Sequence, residues 1–407
     1  MKLTTMGAIA IVSACLSAQA QIDTLGSKKE SKKEWYQNFA IRGYMQVRYN
    51  KLLETNSNLG CEQCDRSWGG EGGFFIRRMR IIFFGQISKQ VYFYVQPDFA
   101  SSPSADRLHF AQIRDAYFDV GLDPDNEFRF RIGQSKVPYG FENMQSSQNR
   151  LPLDRNDALN SAVSNERDLG VFFYWAPKHI RHRFSYLVNS GLKGSGDYGV
   201  IGLGAYNGQT ANNVELNSEP HLVGRISYPF ELKNKQIIEA GIQGYYGKTV
   251  LPTSNLSTVS GRTVKTTFNR NYEDRRVAAS FIVYPQPFGI TAEYTMGQGP
   301  KYNKATDSIE TSDLEGGYIM ANYMLKHKNH IFIPFVRAQY FDGGKKHERD
   351  ARSYLVKELE IGVEWQPVKN FEFVAMYTIS DRTYEDFSRR NNRQTGNLLR
   401  LQAQLNF

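Results

Sequence analysis

Residues 396–407 constrain the fold more than any other stretch of this 407-residue chain. From Leu399 the apolar residues fall on every second position: Leu399, Leu401, Ala403, Leu405 and Phe407. Arg400, Gln402, Gln404 and Asn406 sit between them. Successive side chains of a strand point to opposite faces, so the segment reads as a strand with one greasy and one wet face. A strand of a soluble sandwich alternates in the same way. The choice between the two folds rests on what the remaining residues supply as neighbours.

The segment ends on an aromatic, and that ending resembles the closing strand of bacterial outer-membrane β-barrels, whose terminal Phe serves as the assembly signal. Composition agrees with such a barrel. The hydrophobic fraction is 41%, yet aromatics reach 13%, with 24 Tyr and 26 Phe. A membrane barrel needs few long apolar runs, because half of each strand faces water, and it needs aromatic belts at both interfaces. No stretch after residue 20 approaches the ~18 consecutive apolar residues of a spanning helix. The formal net charge of +9 is spread along the chain, which argues against a nucleic-acid partner.

Alternating segments follow one another with a regular rhythm of connections. Strands are expected over 39–49, 74–86, 91–98, 109–121 and 127–136. They are expected again near 167–176, 181–191, 221–230, 236–249, 275–284, 289–297, 315–326, 331–342, 355–366, 371–384 and 396–407. The total is sixteen. Short turns recur at 87–90, 122–126, 177–180, 233–235, 285–287, 328–330 and 367–370, and longer connections lie between them. Short turns at one end, longer loops at the other and an even strand number describe a transmembrane β-barrel. A sandwich has no reason to alternate its loop lengths. The expected fold is one antiparallel barrel over 37–407, with the N-terminus and Phe407 on the periplasmic side.

Upstream of it, Met1 to Ala20 reads as a secretory leader, with Lys2, an apolar core from Met6 to Leu16 and the small-x-small site Ala18-Gln19-Ala20. Val12-Ser13-Ala14-Cys15 also resembles a lipobox, which would make Cys15 a lipidation site; either reading exports the protein. Residues 21–36 form a short charged tail.

The lipid's intolerance of charge assigns the faces. Leu359, Ile361, Val363 and Trp365 are expected outward, with Glu358, Glu360 and Glu364 inward. Phe332, Pro334, Val336 and Ala338 point out, with Arg337 and Gln339 in. Pro334 within a strand suggests a local bulge. The facing of 109–121 stays open, because Arg114 and Asp115 fall on opposite faces. Inward arginines gather on the early strands (Arg42, Arg48, Arg78, Arg80, Arg129, Arg131). Inward carboxylates gather later (Glu239, Glu293, Glu358, Glu360, Glu364, Glu372). In a closed barrel this sets a basic arc against an acidic one.

The block from Phe75 to Trp175 resembles the phosphate-selective porin O and P family. The pieces that carry the resemblance are Arg77-Arg78-Met79-Arg80, Pro97-Asp98-Phe99-Ala100, Arg114-Asp115-Ala116-Tyr117, the run from Gly133 to Glu142, and Glu166-Arg167-Asp168-Leu169-Gly170. The resemblance implies a sixteen-stranded trimeric porin whose third long loop, here Pro138 to Glu166, folds into the lumen as a constriction. The charges at that constriction are then Lys136, Glu142, Arg150, Asp154, Arg155 and Asp157; the alternative is a surface loop with solvated charges. Such a barrel would sit among outer-membrane lipid and lipopolysaccharide and reach it through the barrel-assembly machinery, by way of Phe407. It would pass small hydrophilic solutes with a modest preference for anions such as phosphate. Phosphate-selective members also carry a lysine cluster in the channel, and no such cluster can be placed in this sequence.

Other chemistry finds little support. Cys61-Glu62-Gln63-Cys64 lies in the first long loop, where an exported protein is expected to form a small disulfide rather than a redox or zinc site. No H-E-x-x-H or G-x-S-x-G motif occurs, so no catalytic residue, metal or cofactor is expected. The rival function is a binding or adhesive barrel for a sugar or surface ligand, in which interior aromatics such as Tyr44, Tyr92 and Tyr94 stack on solute.

Overall fold

A computed structural model describes residues 35–50, 52–64, 68, 73–100 and 110–407. The expected leader and all but the last two residues of the expected tail lie outside the described residues. Sixteen antiparallel strands form a closed barrel. They are β1 (Phe39–Tyr49), β2 (Phe74–Gln86), β3 (Val91–Ala100), β4 (Phe110–Gly121), β5 (Phe128–Lys136), β6 (Arg167–Trp175), β7 (Ile201–Tyr206) and β8 (His221–Glu231). The second half comprises β9 (Ile237–Val250), β10 (Asn271–Val283), β11 (Phe288–Asn303), β12 (Ser308–Tyr323, prolonged by Leu325–His327), β13 (His330–Gly344), β14 (Ser353–Val368), β15 (Phe371–Glu385) and β16 (Arg393–Asn406).

Every backbone donor and acceptor in a bilayer must find a partner within the protein, and ring closure supplies it. β1 pairs with β2 on one side and with β16 on the other. The closure extends to the last residue: the Gly43 N–H donates to the Phe407 carbonyl at 2.7 Å, and the Phe407 N–H donates back at 3.0 Å. Gly43 is required there, since a Cβ would lie 2.6 Å from the Phe407 ring and 2.5 Å from the Arg80 carbonyl oxygen.

The period-two pattern decides the faces as expected. On β14 the side chains of Leu359, Ile361, Val363 and Trp365 are exposed on the outer surface, while Glu358, Glu360 and Glu364 are buried inside. Tyr44, Gln46 and Arg48 of β1, Arg78 and Arg80 of β2, and Arg129 and Arg131 of β5 are likewise buried on the inner side.

Three expectations are corrected. The segment 181–191 is not a strand, and 177–180 is not a turn between strands. Helix α3 spans Lys178–Asn189, and the seventh strand lies further on at Ile201–Tyr206. Phe184, Tyr186 and Val188 alternate like a strand, but Ile180, Phe184 and Leu187 repeat at helical spacing, and these three are the buried residues of the helix. The long loop expected between 297 and 315 is a tall hairpin instead, since β11 and β12 stay paired to Asn303 and Ser308. Pro334 makes no bulge: β13 keeps a continuous register against β14. Its missing N–H falls in the gap where the pairing of β12 with β13 is interrupted, between Asn322↔Phe335 and Leu325↔Phe332.

The open facing of β4 is settled by a bulge. The register against β3 shifts between Gln96 and Pro97, leaving Arg114 unpaired between Ile113 and Asp115. Pro97 offers no N–H to that ladder, and the extra residue lets Arg114 and Asp115 both turn inward, each buried. β2 carries a second bulge, where Arg77 is skipped between Ile76 and Arg78.

Candidate functional site: the charged neck of the lumen

Loop 137–166 lies inside the barrel and carries two short helices, α1 (Phe141–Met144) and α2 (Asp157–Ala162). It is fastened to the wall of the later strands by its own charges. Glu142 pairs with Arg337 at 2.6 Å and also accepts from the Asn156 backbone N–H (2.8 Å) and side-chain amide (2.7 Å). Asp154 pairs with Arg48 at 3.3 Å and with Arg400. Asp157 pairs with Arg382 at 2.7 Å and with Lys345. Arg276 donates to the Ser161 hydroxyl at 2.5 Å. Glu142 and Asp157, expected to line a constriction, therefore serve as fastenings. Asp154 does so too, at the edge of a cavity on the long-loop side.

Two cavities lie between this loop and the wall of the early strands. One of about 200 Å³ opens toward the long loops and is lined by Arg77, Arg78, Arg80, Arg114, Arg150 and Arg155 among others. The other, of about 510 Å³, opens toward the short turns, with Arg42, Tyr92, Tyr94, Tyr117, Arg131, Lys136 and Arg167 in its lining. A layer of ion pairs bridges them. Arg80 and Arg114 share Asp98, at 2.8 and 3.3 Å. Arg167 binds Asp115 at 2.9 Å and also Glu166. Arg150 and Arg155 each approach Glu166 at 3.2 Å, and Lys136 stands 3.8 Å from it. Burial alone would raise the Glu166 carboxyl; Lys136, Arg155, Arg150 and Arg167 outweigh it and hold the group well below the usual carboxylate range.

The layer is not neutral. In this layer Arg78, Arg80, Arg114, Lys136, Arg150, Arg155 and Arg167 make seven cations against three carboxylates, Asp98, Asp115 and Glu166; Arg77, Glu62, Asp154 and Glu348 line the 200 Å³ cavity beyond it. Arg78 donates to the Gln46 amide oxygen at 2.8 Å and pairs with no carboxylate among the described residues. Three buried guanidinium nitrogens here, Arg78 Nε, Arg114 Nη1 and Arg150 Nε, have no hydrogen-bond partner within the described protein. The neck thus holds an excess of positive charge.

The opposite half of the lumen is filled. Phe141, Leu151 and Leu153 of the inner loop join Ile180, Phe184 and Leu187 of α3. Ile282, Tyr284, Tyr318, Met320, Ile333, Phe335, Val374 and Met376 of the later strands complete one apolar core with them. The inward carboxylates of these strands are real, and four of the six are matched by cations, while Glu372 accepts from the Asn406 side-chain amide at 2.9 Å. Glu358 binds Arg382 (2.6 Å), Glu360 binds Arg337, Glu364 binds Lys193 (2.5 Å), and Glu239 binds Arg225 (3.3 Å). Glu293 accepts the Phe141 backbone N–H. Arg225, Arg276 and Arg382 occupy inward positions by the same alternation that puts Arg400 on the wet face of β16, and none of the three was expected from the charge pattern. No bare acidic arc faces the two cavities.

The remaining early-strand cations divide. Arg131 is held at both ends of Asp119 (2.8 and 2.9 Å), and Arg129 binds Asp197 at 2.8 Å. Arg48 is committed to Gln402 and Asp154. Arg42 is exposed, lies over the Phe84 ring with its guanidinium carbon 5.1 Å from the centroid, and has no carboxylate partner among the described residues. Cys61 and Cys64 are joined by a disulfide. Near them Trp68 covers Arg382 and Arg400 at 4.5 and 5.1 Å and donates to Asp154 at 3.3 Å.

A family model described as phosphate-selective porin O and P matches residues 60–407. No curated protein matches the chain. The outer membrane channel DcaP of Acinetobacter baumannii is similar over 91% of this chain and 97% of its own, at 14% identity and a TM-score of 0.51. OmpT of Vibrio cholerae, an outer membrane protein in a trimer form, is similar over 91% and 99%, at 10% identity and a TM-score of 0.56. OmpF of Salmonella typhi, in complex with daunomycin, is similar over 91% and 98%, at 12% identity and a TM-score of 0.55. At these identities the likeness is one of fold.

Proposed function

The chain belongs to the phosphate-selective porin O and P family, and we propose that this outer-membrane channel passes small hydrophilic solutes by passive diffusion, with a modest preference for anions. The observation that carries the preference is the imbalance at the neck, seven cations against three carboxylates. Arg78, Arg80 and Arg114 raise the local concentration of anions on the long-loop side, and Arg167 and Lys136 hand them on to the larger cavity. Phosphate is one such anion. The three carboxylates keep the preference modest, so neutral solutes pass and cations are disfavoured without being excluded.

The long-loop end is the outer face and the short-turn end the periplasmic face. Residues 1–20 act as the leader, 21–36 as the tail, and a mature chain starting at Gln21 would be read directly by N-terminal sequencing. The trimer form of the Vibrio cholerae neighbour supports a homotrimer here, which native mass determination would detect. Swelling of proteoliposomes in isosmotic solutes tests the function itself. Gluconate should enter faster than glucose, and glucose faster than a sugar amine of the same size. Equal entry of all three removes the preference, and no entry of any favours the binding barrel.

A further inference from the structure

The connection between β6 and β7, residues 176–200, runs along the short-turn end, where every other connection is a turn of a few residues. Helix α3 within it presents three distinct faces. Ile180, Phe184 and Leu187 are buried in the apolar core of the filled half. Arg181, Ser185, Val188 and Asn189 line the 510 Å³ cavity, and His182 and Tyr186 are exposed without lining it. The spacing 181, 185, 188 and 189 is one stripe of a 3.6-residue helix.

The helix is held in place from several sides. Its first N–H, that of Lys178, donates to Glu127 at 2.6 Å, and the Lys178 ammonium pairs with Asp125 at 2.7 Å. Arg181 pairs with Asp197 at 2.9 Å and donates to the carbonyls of Asp125 (2.9 Å) and Asn126 (2.8 Å). Arg183 donates to the Pro229 carbonyl at 2.7 Å. Asp197 in turn binds Arg129 on the wall at 2.8 Å. The same cavity is bounded by Arg42, Gln86, Gln90 and Tyr92, at the short-turn ends of β1, β2 and β3. Ser185 and Asn189 are exposed, so solvent already reaches this stripe.

We propose that α3 forms a second constriction in series with the charged neck, and that solute passes between the stripe Arg181, Ser185 and Asn189 and the wall residues Arg42, Gln86 and Tyr92. The reasoning is geometric. The later-strand half of the lumen is occupied by packed apolar side chains, so a solute below the neck has only the cavity along β1 to β5. The helix stands at the short-turn side of that cavity, and its polar stripe is the surface a solute meets. The stripe is small and uncharged at Ser185 and Asn189, while Arg42 is the lining cation with an exposed side chain and no carboxylate partner among the described residues. The second constriction therefore filters by size first and adds a weaker bias toward anions.

This inference rests on the channel reading, and one experiment separates the two. Ser185→Cys and Asn189→Cys are placed on the stripe, with Tyr186→Cys as the control on the exposed face. Current across a planar bilayer is followed while a methanethiosulfonate reagent carrying trimethylammonium, or one carrying sulfonate, is added. The native Cys61 and Cys64 are joined and do not react. Both stripe variants should lose most of their current on labelling. The residual current should tilt toward anions with trimethylammonium and toward cations with sulfonate. The Tyr186 variant should keep its current. Complete labelling of Ser185→Cys by mass, with current unchanged, overturns the second constriction whatever the selectivity of the wild type. A cation-selective wild type that is still blocked at Ser185→Cys leaves the constriction standing and removes the anion preference instead.

Discussion

Replacing Arg78 with glutamine removes one of the seven neck cations without uncovering a carboxylate, because the Arg78 guanidinium is bonded to Gln46 and not to an acid. The size of the effect follows from Coulomb's law. A unit charge ~7 Å from a permeating ion in a water-filled path is worth ~0.6 kcal/mol. Ionic strength near 0.1 M cuts that by about half. The effect has opposite signs for an anion and a cation, so the ratio of their permeabilities moves by ~0.6 kcal/mol, a factor of about three. The assay is the zero-current potential of Arg78→Gln against wild type across a salt gradient, and the variant should be about threefold less anion-preferring. The mirror experiment is Asp98→Asn, which removes a carboxylate from the same layer and should shift the ratio by a similar factor toward anions. Asp98 holds both Arg80 and Arg114, so this variant is first shown to be folded by its heat-dependent mobility on a gel. Shifts in the same direction for the two variants, or no shift in either, would refute the charge reasoning at the neck.

Three further outcomes follow from the geometry. Glu142→Ala leaves Arg337 to Glu360 alone and deprives the Asn156 backbone and side-chain N–H groups of their acceptor; it should cost ~1–3 kcal/mol in unfolding measurements and raise conductance as loop 137–166 loosens. Gly43→Leu forces a side chain into the Phe407 ring and the Arg80 carbonyl, so unfolded monomer should accumulate on heat-modifiability gels, while Gly224→Ala, where the nearest atom is 3.6 Å away, should fold normally. Burial would raise the Asp197 carboxyl, but Arg129 and Arg181 hold it at about 2. A depressed carboxylate keeps its pairing above the unfolded value of ~3.9 and loses it only as pH falls through the folded value. Conductance should therefore stay level from pH 8 to about pH 4 as far as this tether is concerned, and Asp197→Asn should reproduce at neutral pH the loosening expected near pH 2.

Much of the barrel was legible because lipid and lumen impose a strict period of two. β1 and β2 lie where alternation put them, and the facing of β14 follows from keeping Glu358, Glu360 and Glu364 out of lipid. The same logic, which placed Arg400 inward, could have found Arg225, Arg276 and Arg382; weighing carboxylates alone hid the fact that most of the later wall is matched. Helix α3 was hidden because Phe184 serves both periodicities at once. The bulges at Arg77 and Arg114 were beyond the pattern, since one skipped residue reverses a face and only Pro97 hinted at the second. Nothing in the sequence said that Glu142 and Asp157 would reach across the lumen, because their partners lie on distant strands.

In the proposed function, this outer-membrane channel favours anions because the neck carries more guanidinium and ammonium than carboxylate. The most direct test is the zero-current potential of the wild-type protein in a planar bilayer under a potassium chloride gradient. The charge balance predicts a potential of the sign set by chloride, smaller than the full chloride equilibrium value. A potential of the sign set by potassium would contradict it.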